Sequence, residues 1–213
     1  MLTVYEIYKS IQGESTHAGR PCVFVRLAAC DLRCSWCDTP YAFTGGRSLS
    51  IDQVVSEVVG LGGDLVELTG GEPLLQREAV PLMERLLDLD FGVLLETGGH
   101  IPIDDVPDAV VTIVDVKCPG SGEAARMHWP NLEQLSRHDE VKFVIQDRAD
   151  FDYAKTIVDA HQLTGRTAAV LFSPVHGVLA PADLARWILD EKLPVRLQLQ
   201  QHKYIWGADT RGV

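Results

Sequence analysis

The sequence predicts an α/β fold built on a mainly parallel sheet. Short runs rich in Val, Ile and Leu alternate along the chain with helix-like stretches, the order that builds parallel sheets. Several of the runs are apolar at consecutive positions, as strands covered on both faces require. Polar residues collect just past the runs, at Thr69–Glu72, Thr97, Lys117, Ser173–Pro174 and Gln201–His202. In parallel α/β folds that edge carries the site.

The elements follow in order. Strands are expected at Val4–Tyr8 and Val23–Ala28. A helix over Ser50–Val59 opens with Ser before Ile-Asp-Gln, close to a capping box. A strand at Leu65–Leu68 leads to a helix at Arg77–Leu89, where Val80, Met83, Leu86 and Leu87 recur at helical spacing. After a strand at Val93–Glu96, Pro102 and Pro107 interrupt any helix in Gly98–Pro107, so this crossover is expected to be a loop. Strands at Val110–Val116 and Val141–Ile145 precede a helix at Phe151–Gln162. The chain closes with a strand at Ala168–Phe172, a helix at Ala182–Glu191 entered from Pro181, and a strand at Val195–Leu199.

The 213 residues are expected to form one domain, with an ordinary apolar fraction of 46%. That falls short of the roughly 250 residues of a closed (β/α)8 barrel. Nineteen Lys and Arg against 30 Asp and Glu leave a net charge of −11, which argues against a nucleic-acid-coating surface. No apolar run approaches the roughly 18 residues that span a bilayer. The start at Met1 has neither a basic segment nor a long apolar one, so no signal peptide is expected and the protein is placed in the cytoplasm. In a reducing compartment, clustered cysteines point to metal or redox chemistry rather than disulfides.

Such a cluster is present. Cys30, Cys34 and Cys37 fall in a C-x3-C-x2-C pattern just after the second expected strand. Three chemistries suit it. A structural zinc site wants four protein ligands and would need Cys22, Cys118 or a His as the fourth. Cys34 and Cys37 alone form a C-x-x-C dithiol. A cubane iron–sulfur cluster held by three cysteines leaves one iron open to a ligand. Cys22 and Cys118 otherwise read as small buried or loop thiols.

C-x3-C-x2-C is the signature of radical S-adenosylmethionine enzymes. With Ser10–Glu14 (Ser-Ile-Gln-Gly-Glu), Gly19–Pro21, Cys37–Thr39, Thr69–Pro73 (Thr-Gly-Gly-Glu-Pro), Glu96–Gly98, Asp115–Lys117, Ser173–His176 and His202–Tyr204, the chain resembles the 7-carboxy-7-deazaguanine synthase family from Tyr5 onward. The resemblance implies an incomplete TIM-type (β/α) barrel. It implies conversion of 6-carboxy-5,6,7,8-tetrahydropterin to 7-carboxy-7-deazaguanine with loss of ammonia, in queuosine and 7-deazapurine biosynthesis. The cofactors implied are a 4Fe-4S cluster on Cys30, Cys34 and Cys37, S-adenosylmethionine on its open iron, and Mg2+. An adenosyl radical would take a hydrogen from C6 of the pterin and later return it.

The same resemblance assigns residues. Trp36, Cys37, Asp38, Gly71, Asp115, Val116, Lys117, Ser173, Pro174, Val175 and His176 fall to S-adenosylmethionine. Missing Cβ atoms at Gly70 and Gly71 suit close backbone approach to a ligand. Thr39 falls to Mg2+, which prefers oxygen ligands and keeps several waters; on its own Thr39 reads as a helix cap or turn residue. Ile11, Gln12, Gly13, Glu14, Arg26, Thr69, His202 and Val213 fall to the substrate, the tail closing over it. Arg26 lies in an apolar strand and needs a partner: a substrate carboxylate suits its fork, and an internal Glu is the other choice. Glu96 reads either as a ribose partner or as a cap. No general base is assigned.

The implied partners are a second copy of the chain, in a homodimer, and a flavodoxin-type electron donor docking near Arg20 and Arg33; no nucleic acid or membrane is expected. Two other readings compete. An activase that makes a glycyl radical on a partner protein would share the cluster and the Gly-Gly-Glu loop but not need Gln12–Glu14 or Thr39. A zinc-binding interaction module would be colourless.

Overall fold

The structure, a computed structural model, describes residues 1–213. Nine strands form one open sheet in the order β3-β1-β2-β4-β5-β6-β7-β8-β9. They are β1 (Leu2–Ile11), β2 (Pro21–Leu27), β3 (Arg47–Leu49), β4 (Leu65–Gly70), β5 (Gly92–Thr97), β6 (Val111–Asp115), β7 (Glu140–Ile145), β8 (Ala169–Pro174) and β9 (Arg196–Leu197). From β2 onward every neighbouring pair is parallel. At the other edge β1 runs antiparallel to both β2 and β3. The barrel is therefore incomplete, with both edges open.

The helices are α1 (Ile51–Leu61), α2 (Ala79–Leu87), α3 (Pro130–Gln134), α4 (Arg148–Ala160), α5 (Leu163–Arg166), α6 (Pro181–Asp190) and α7 (Gln201–Ile205). The capping box is present at α1: Gln53 N donates to Ser50 Oγ at 3.2 Å and Ser50 N to Gln53 Oε1 at 2.8 Å. Helix α4 starts three residues earlier than Phe151, because Asp147 accepts the Asp150 amide and caps it there. No regular helix fills the crossover between β5 and β6, as the two prolines demand.

The short helices α3, α5 and α7 were not anticipated, and the strands depart from the sequence expectations in three places. β1 extends to Leu2 and Ile11, and β3 was not anticipated: both belong to the antiparallel edge, where polar side chains intervene among apolar ones. The last strand shrinks from Val195–Leu199 to Arg196–Leu197, an edge strand with one neighbour. No helix of the structure is long and apolar enough to cross a membrane.

Register explains how the two faces of the sheet divide. Val25 of β2, Leu68 of β4, Leu95 of β5, Val114 of β6, Phe143 of β7 and Phe172 of β8 lie on the face packed beneath the helices. Every second position turns the other way, as strand periodicity requires. On that face Cys22, Phe24, Leu65, Leu94 and Ile113 make a small apolar floor. Above it stand Arg26, Glu67, Thr69, Glu96, Asp115 and Lys142 along the wall of a cleft.

Candidate active site

The cleft lies at the C-terminal edge of the parallel strands and has a volume of about 750 Å3. Cys30, Cys34 and Cys37 line it, on the loop that leaves β2. That loop begins at Ala29, held at φ +74°. It is cross-bonded to the loop after β4: Gly71 N donates to Leu27 O at 3.0 Å and Glu72 N to Ala29 O at 2.8 Å. The approach is so close that a Cβ on Gly71 would fall 2.0 Å from Ala29 O. At Gly70, with φ +143°, a Cβ would fall 2.1 Å from Leu27 O. Glycine is required at both positions to lay one loop on the other.

The glutamate of the second loop is an anchor. Fully buried Glu72 accepts from Gly98 N at 2.8 Å, Thr97 Oγ1 at 2.9 Å and Leu74 N at 3.0 Å. Burial raises its carboxyl against the pull of these donors. His100 extends the tie to the thiol loop, its Nε2 standing 2.6 Å from Asp31 Oδ1. Burial also raises the thiols of Cys30 and Cys34, while the Lys117 ammonium pulls both down.

The arrangement fits a cubane better than zinc. Cys22 and Cys118 are buried in the apolar clusters and do not line the cleft. No three His, Cys, Asp or Glu side chains stand at single-ion spacing. Three thiols on one half-exposed loop, faced by open volume rather than a fourth ligand, match a cluster that presents one free iron.

Trp36, Asp38, Gly71, Asp115, Lys117, Val175 and His176 line the cleft along with the thiols. Lys117 Nζ donates to Asp115 Oδ2 at 2.8 Å, and Asp115 Oδ1 is buried with no partner. Val116, Ser173 and Pro174 are not brought to the wall: Val116 packs in the core, and the other two are buried within the last turn of β8. Alternation along the strand explains Val116, which points away from its neighbours Asp115 and Lys117.

Ile11, Gln12, Gly13, Glu14, Arg26, Thr69, His202 and Val213 line the same cleft. The Gln12 amide is spent inside the protein: its NH2 donates to Glu67 Oε2 and its carbonyl accepts from Glu14 N. Glu14 accepts from Gln198 Nε2 at 2.9 Å, Gln200 Nε2 at 3.0 Å and Lys142 Nζ at 3.1 Å. Burial works to raise its carboxyl, but Lys142, Gln200 and His202 outweigh it and hold the carboxyl low. Gly13 is where α7 docks, with Gln201 N donating to Gly13 O at 2.9 Å.

Arg26 has the internal partner. Its Nε donates to Glu6 Oε1 at 2.8 Å and its Nη2 to Tyr8 Oη at 2.9 Å. Burial, with Glu6 adding to it and Arg26 opposing, pushes Tyr8 up to about 12. Thr39 precedes the short turn Pro40–Phe43 but makes no cap; it lines the cleft with its hydroxyl 3.9 Å from Cys37 Sγ. Glu96 caps nothing; its one partner is Lys142. Arg20 is not near the thiols: it pairs with Asp64 at 3.5 Å, at the far end of β2. A seven-residue strand at about 3.3 Å per residue separates the two ends by roughly 20 Å.

Sequence reasoning missed Glu67, Lys142, Gln200 and Lys203, all on the cleft wall. The signal for the first two was present. Each interrupts an apolar strand at a position two removed from another inward-facing residue, such as Thr69 or Val144.

Residues 25–117 match the radical SAM superfamily. The chain is 50% identical to 7-carboxy-7-deazaguanine synthase from Koribacter versatilis, covering 100% of both chains. It is 45% identical to the Chlorobaculum tepidum enzyme of the same name, over 100% of this chain and 97% of that one. Among solved structures, QueE from Escherichia coli superposes with a TM-score of 0.77 at 20% identity, covering 94% of each chain. Archaeal TYW1 superposes with 0.56 at 11% identity, covering 80% of this chain and 71% of that one.

Proposed function

Because the chain belongs to the 7-carboxy-7-deazaguanine synthase family of radical S-adenosylmethionine enzymes, we propose a division of its cleft into a cofactor end at the thiol loop and a pterin end at Gln12–Glu14. The activity is conversion of 6-carboxy-5,6,7,8-tetrahydropterin to 7-carboxy-7-deazaguanine with release of ammonia, a step of queuosine and 7-deazapurine biosynthesis. The carrying observation is the cross-bonding of the Cys30–Cys37 loop to Gly70–Glu72 at a cleft that Gln12–Glu14 and Arg26 also line.

Cys30, Cys34 and Cys37 hold the 4Fe-4S cluster. When bound, cluster and S-adenosylmethionine supply a hydrogen-abstracting radical and take the hydrogen back. The protein's work is placement. Gly71, laid against the thiol loop, seats S-adenosylmethionine with Trp36, Asp38, Asp115, Lys117 and His176. The unpartnered Asp115 Oδ1 offers an acceptor there. At the pterin end, Arg26 Nη1 makes no bond within the protein and is aimed by Glu6 and Tyr8, which suits a substrate carboxylate. Gln12 and Glu14 are both held by internal bonds at this end, and the Glu14 carboxylate, fixed by Gln198, Gln200 and Lys142, is the side chain that reads the pterin ring edge. Thr39, whose hydroxyl makes no cap and has only Cys37 Sγ beside it at 3.9 Å, is the protein's ligand to Mg2+, which also holds the substrate carboxylate.

The residues from Ala208 to Val213 line the cleft and close it over the substrate. The working enzyme is a cytoplasmic homodimer. A flavodoxin-type donor approaches at Arg33, which stands on the thiol loop and stacks 4.3 Å above Phe43.

An anaerobic assay tests the reading. Reconstituted protein, S-adenosylmethionine, dithionite, Mg2+ and 6-carboxytetrahydropterin should give 7-carboxy-7-deazaguanine by mass spectrometry. Reductive cleavage to 5′-deoxyadenosine without that product would keep the superfamily and reject the substrate.

A further inference from the structure

The wall between the two ends of the cleft carries a buried ammonium. Lys142, on β7, has a side chain only 6% exposed. Its Nζ donates to Glu14 Oε2 at 3.1 Å and to Glu96 Oε1, and stands 3.6 Å from Asp115 Oδ2. An ammonium has three donors, and three carboxylates from three different segments surround this one. Glu14 comes from the loop after β1, Glu96 from β5 and Asp115 from β6.

These carboxylates do not belong to one end of the cleft. Glu14 is at the pterin end, and Asp115, shared with Lys117 at 2.8 Å, is at the cofactor end. Glu96 has no other partner in the protein. Without Lys142, the carboxyl groups of Glu14, Glu96 and Asp115 would face one another, with buried Glu67 beside the first two and only Lys117 and His202 near to offset them. Like charges separate or take up protons, and either response shifts Glu14 and Glu96, while Asp115 keeps its 2.8 Å bond from Lys117.

We propose that Lys142 is a positioning residue: it ties Glu14 at the pterin end to Glu96 and Asp115 at the cofactor end, and so keeps hydrogen abstraction directed at the pterin. The proposal rests on the activity inferred above. Abstraction requires donor and acceptor atoms near contact, and misplacement by about 1 Å costs on the order of 100-fold. The cluster cysteines are not part of the tie and Asp115 stays held by Lys117 at 2.8 Å, so reductive cleavage itself should survive its loss.

The test measures 5′-deoxyadenosine accumulated per 7-carboxy-7-deazaguanine formed, with KM for the pterin and iron content alongside. In Lys142→Met, iron content should stay at the wild-type level and cleavage within about threefold of it. The ratio of 5′-deoxyadenosine to product should rise at least tenfold, and so should KM. Lys142→Arg should bring the ratio back to within about threefold of wild type. A Lys142→Met enzyme whose ratio and KM stay at wild-type values would overturn the proposal, as would equal loss of cleavage and product. If Lys142→Met does not fold, Lys142→Met/Glu96→Gln removes the ammonium with one of its carboxylates and is held to the same criteria. Failure of both to fold would assign Lys142 to stability and reject the positioning role. Coupled turnover in the variants with an active wild type rejects only the role of Lys142, whereas a wild type that makes no product rejects the activity and the role with it.

Discussion

Arg26 Nε sits 2.8 Å from Glu6 Oε1, so the guanidinium is fixed before any ligand arrives. Nη1 and the second N–H of Nη2 are left to bond outward. Lysine at this position has neither the fork nor the second contact to Tyr8. Arg26→Lys should raise KM for 6-carboxytetrahydropterin about 10- to 100-fold, the worth of one charged hydrogen bond, with a smaller effect on kcat. Steady-state kinetics check this, and a pterin lacking the 6-carboxylate should bind wild type and variant alike.

Cys34→Ala should abolish the brown absorbance, the iron content and product formation together. Cys22→Ala should keep all three, because Cys22 is buried on the apolar floor and away from the thiol loop. Iron and sulfide analysis of anaerobically purified variants separates these outcomes. Zinc without iron in the wild type would contradict the cluster assignment.

Gly71→Ala places a methyl 2.0 Å from a backbone oxygen that has no flexible end to retreat. The two loops must separate, and the amide of Glu72 loses its 2.8 Å bond to Ala29 O. S-adenosylmethionine affinity should fall at least tenfold by equilibrium dialysis. The KM for the pterin should change less than the S-adenosylmethionine affinity, since Gln12–Glu14 take no part in the contact between the two loops.

Glu67 gives the fold a pH dependence of defined sign. Burial, then the carboxylates of Glu96 and Glu14, raise its carboxyl well above the ordinary 4.5. The folded protein thus holds this proton more tightly than the unfolded chain does. Stability from this group is full at low pH and declines as pH rises from about 4.5 through the raised value. Glu67→Gln keeps an acceptor for the Gln12 amide and removes the titration. Its Tm should exceed that of wild type by a few degrees at pH 8, and the gap should close toward pH 4.5, in thermal melts at a series of pH values. A constant gap would refute the assignment.

The thiol loop, the Gly-Gly-Glu loop and the Ser50 cap could be read directly because each is written in consecutive residues. A cap or ligand pattern spans a few positions, and its geometry is local. Lys142 and Glu67 could not be read that way. Each is one polar residue in an apolar strand, and whether it faces helices or cleft depends on a register set by neighbouring strands. Arg26 was correctly expected to need a partner, yet Glu6 lies 20 residues away and meets it only because β1 turns back antiparallel to β2. The missing helix between β5 and β6 was legible from Pro102 and Pro107. The absence of Val116 from the wall follows from a strand alternation that a tripeptide motif does not express.

The bond from Gln201 N to Gly13 O joins segments separated by most of the chain. During synthesis the thiol loop and its companion at Gly71 leave the ribosome long before α7 exists. A chain arrested near Leu197 would already carry every cysteine of the cluster loop, yet would lack Gln198, Gln200 and His202 from around Glu14 and Gly13. The order of emergence therefore assembles the reactive half of the enzyme first and the half that restrains it last, and an incomplete product is a potential source of undirected radicals.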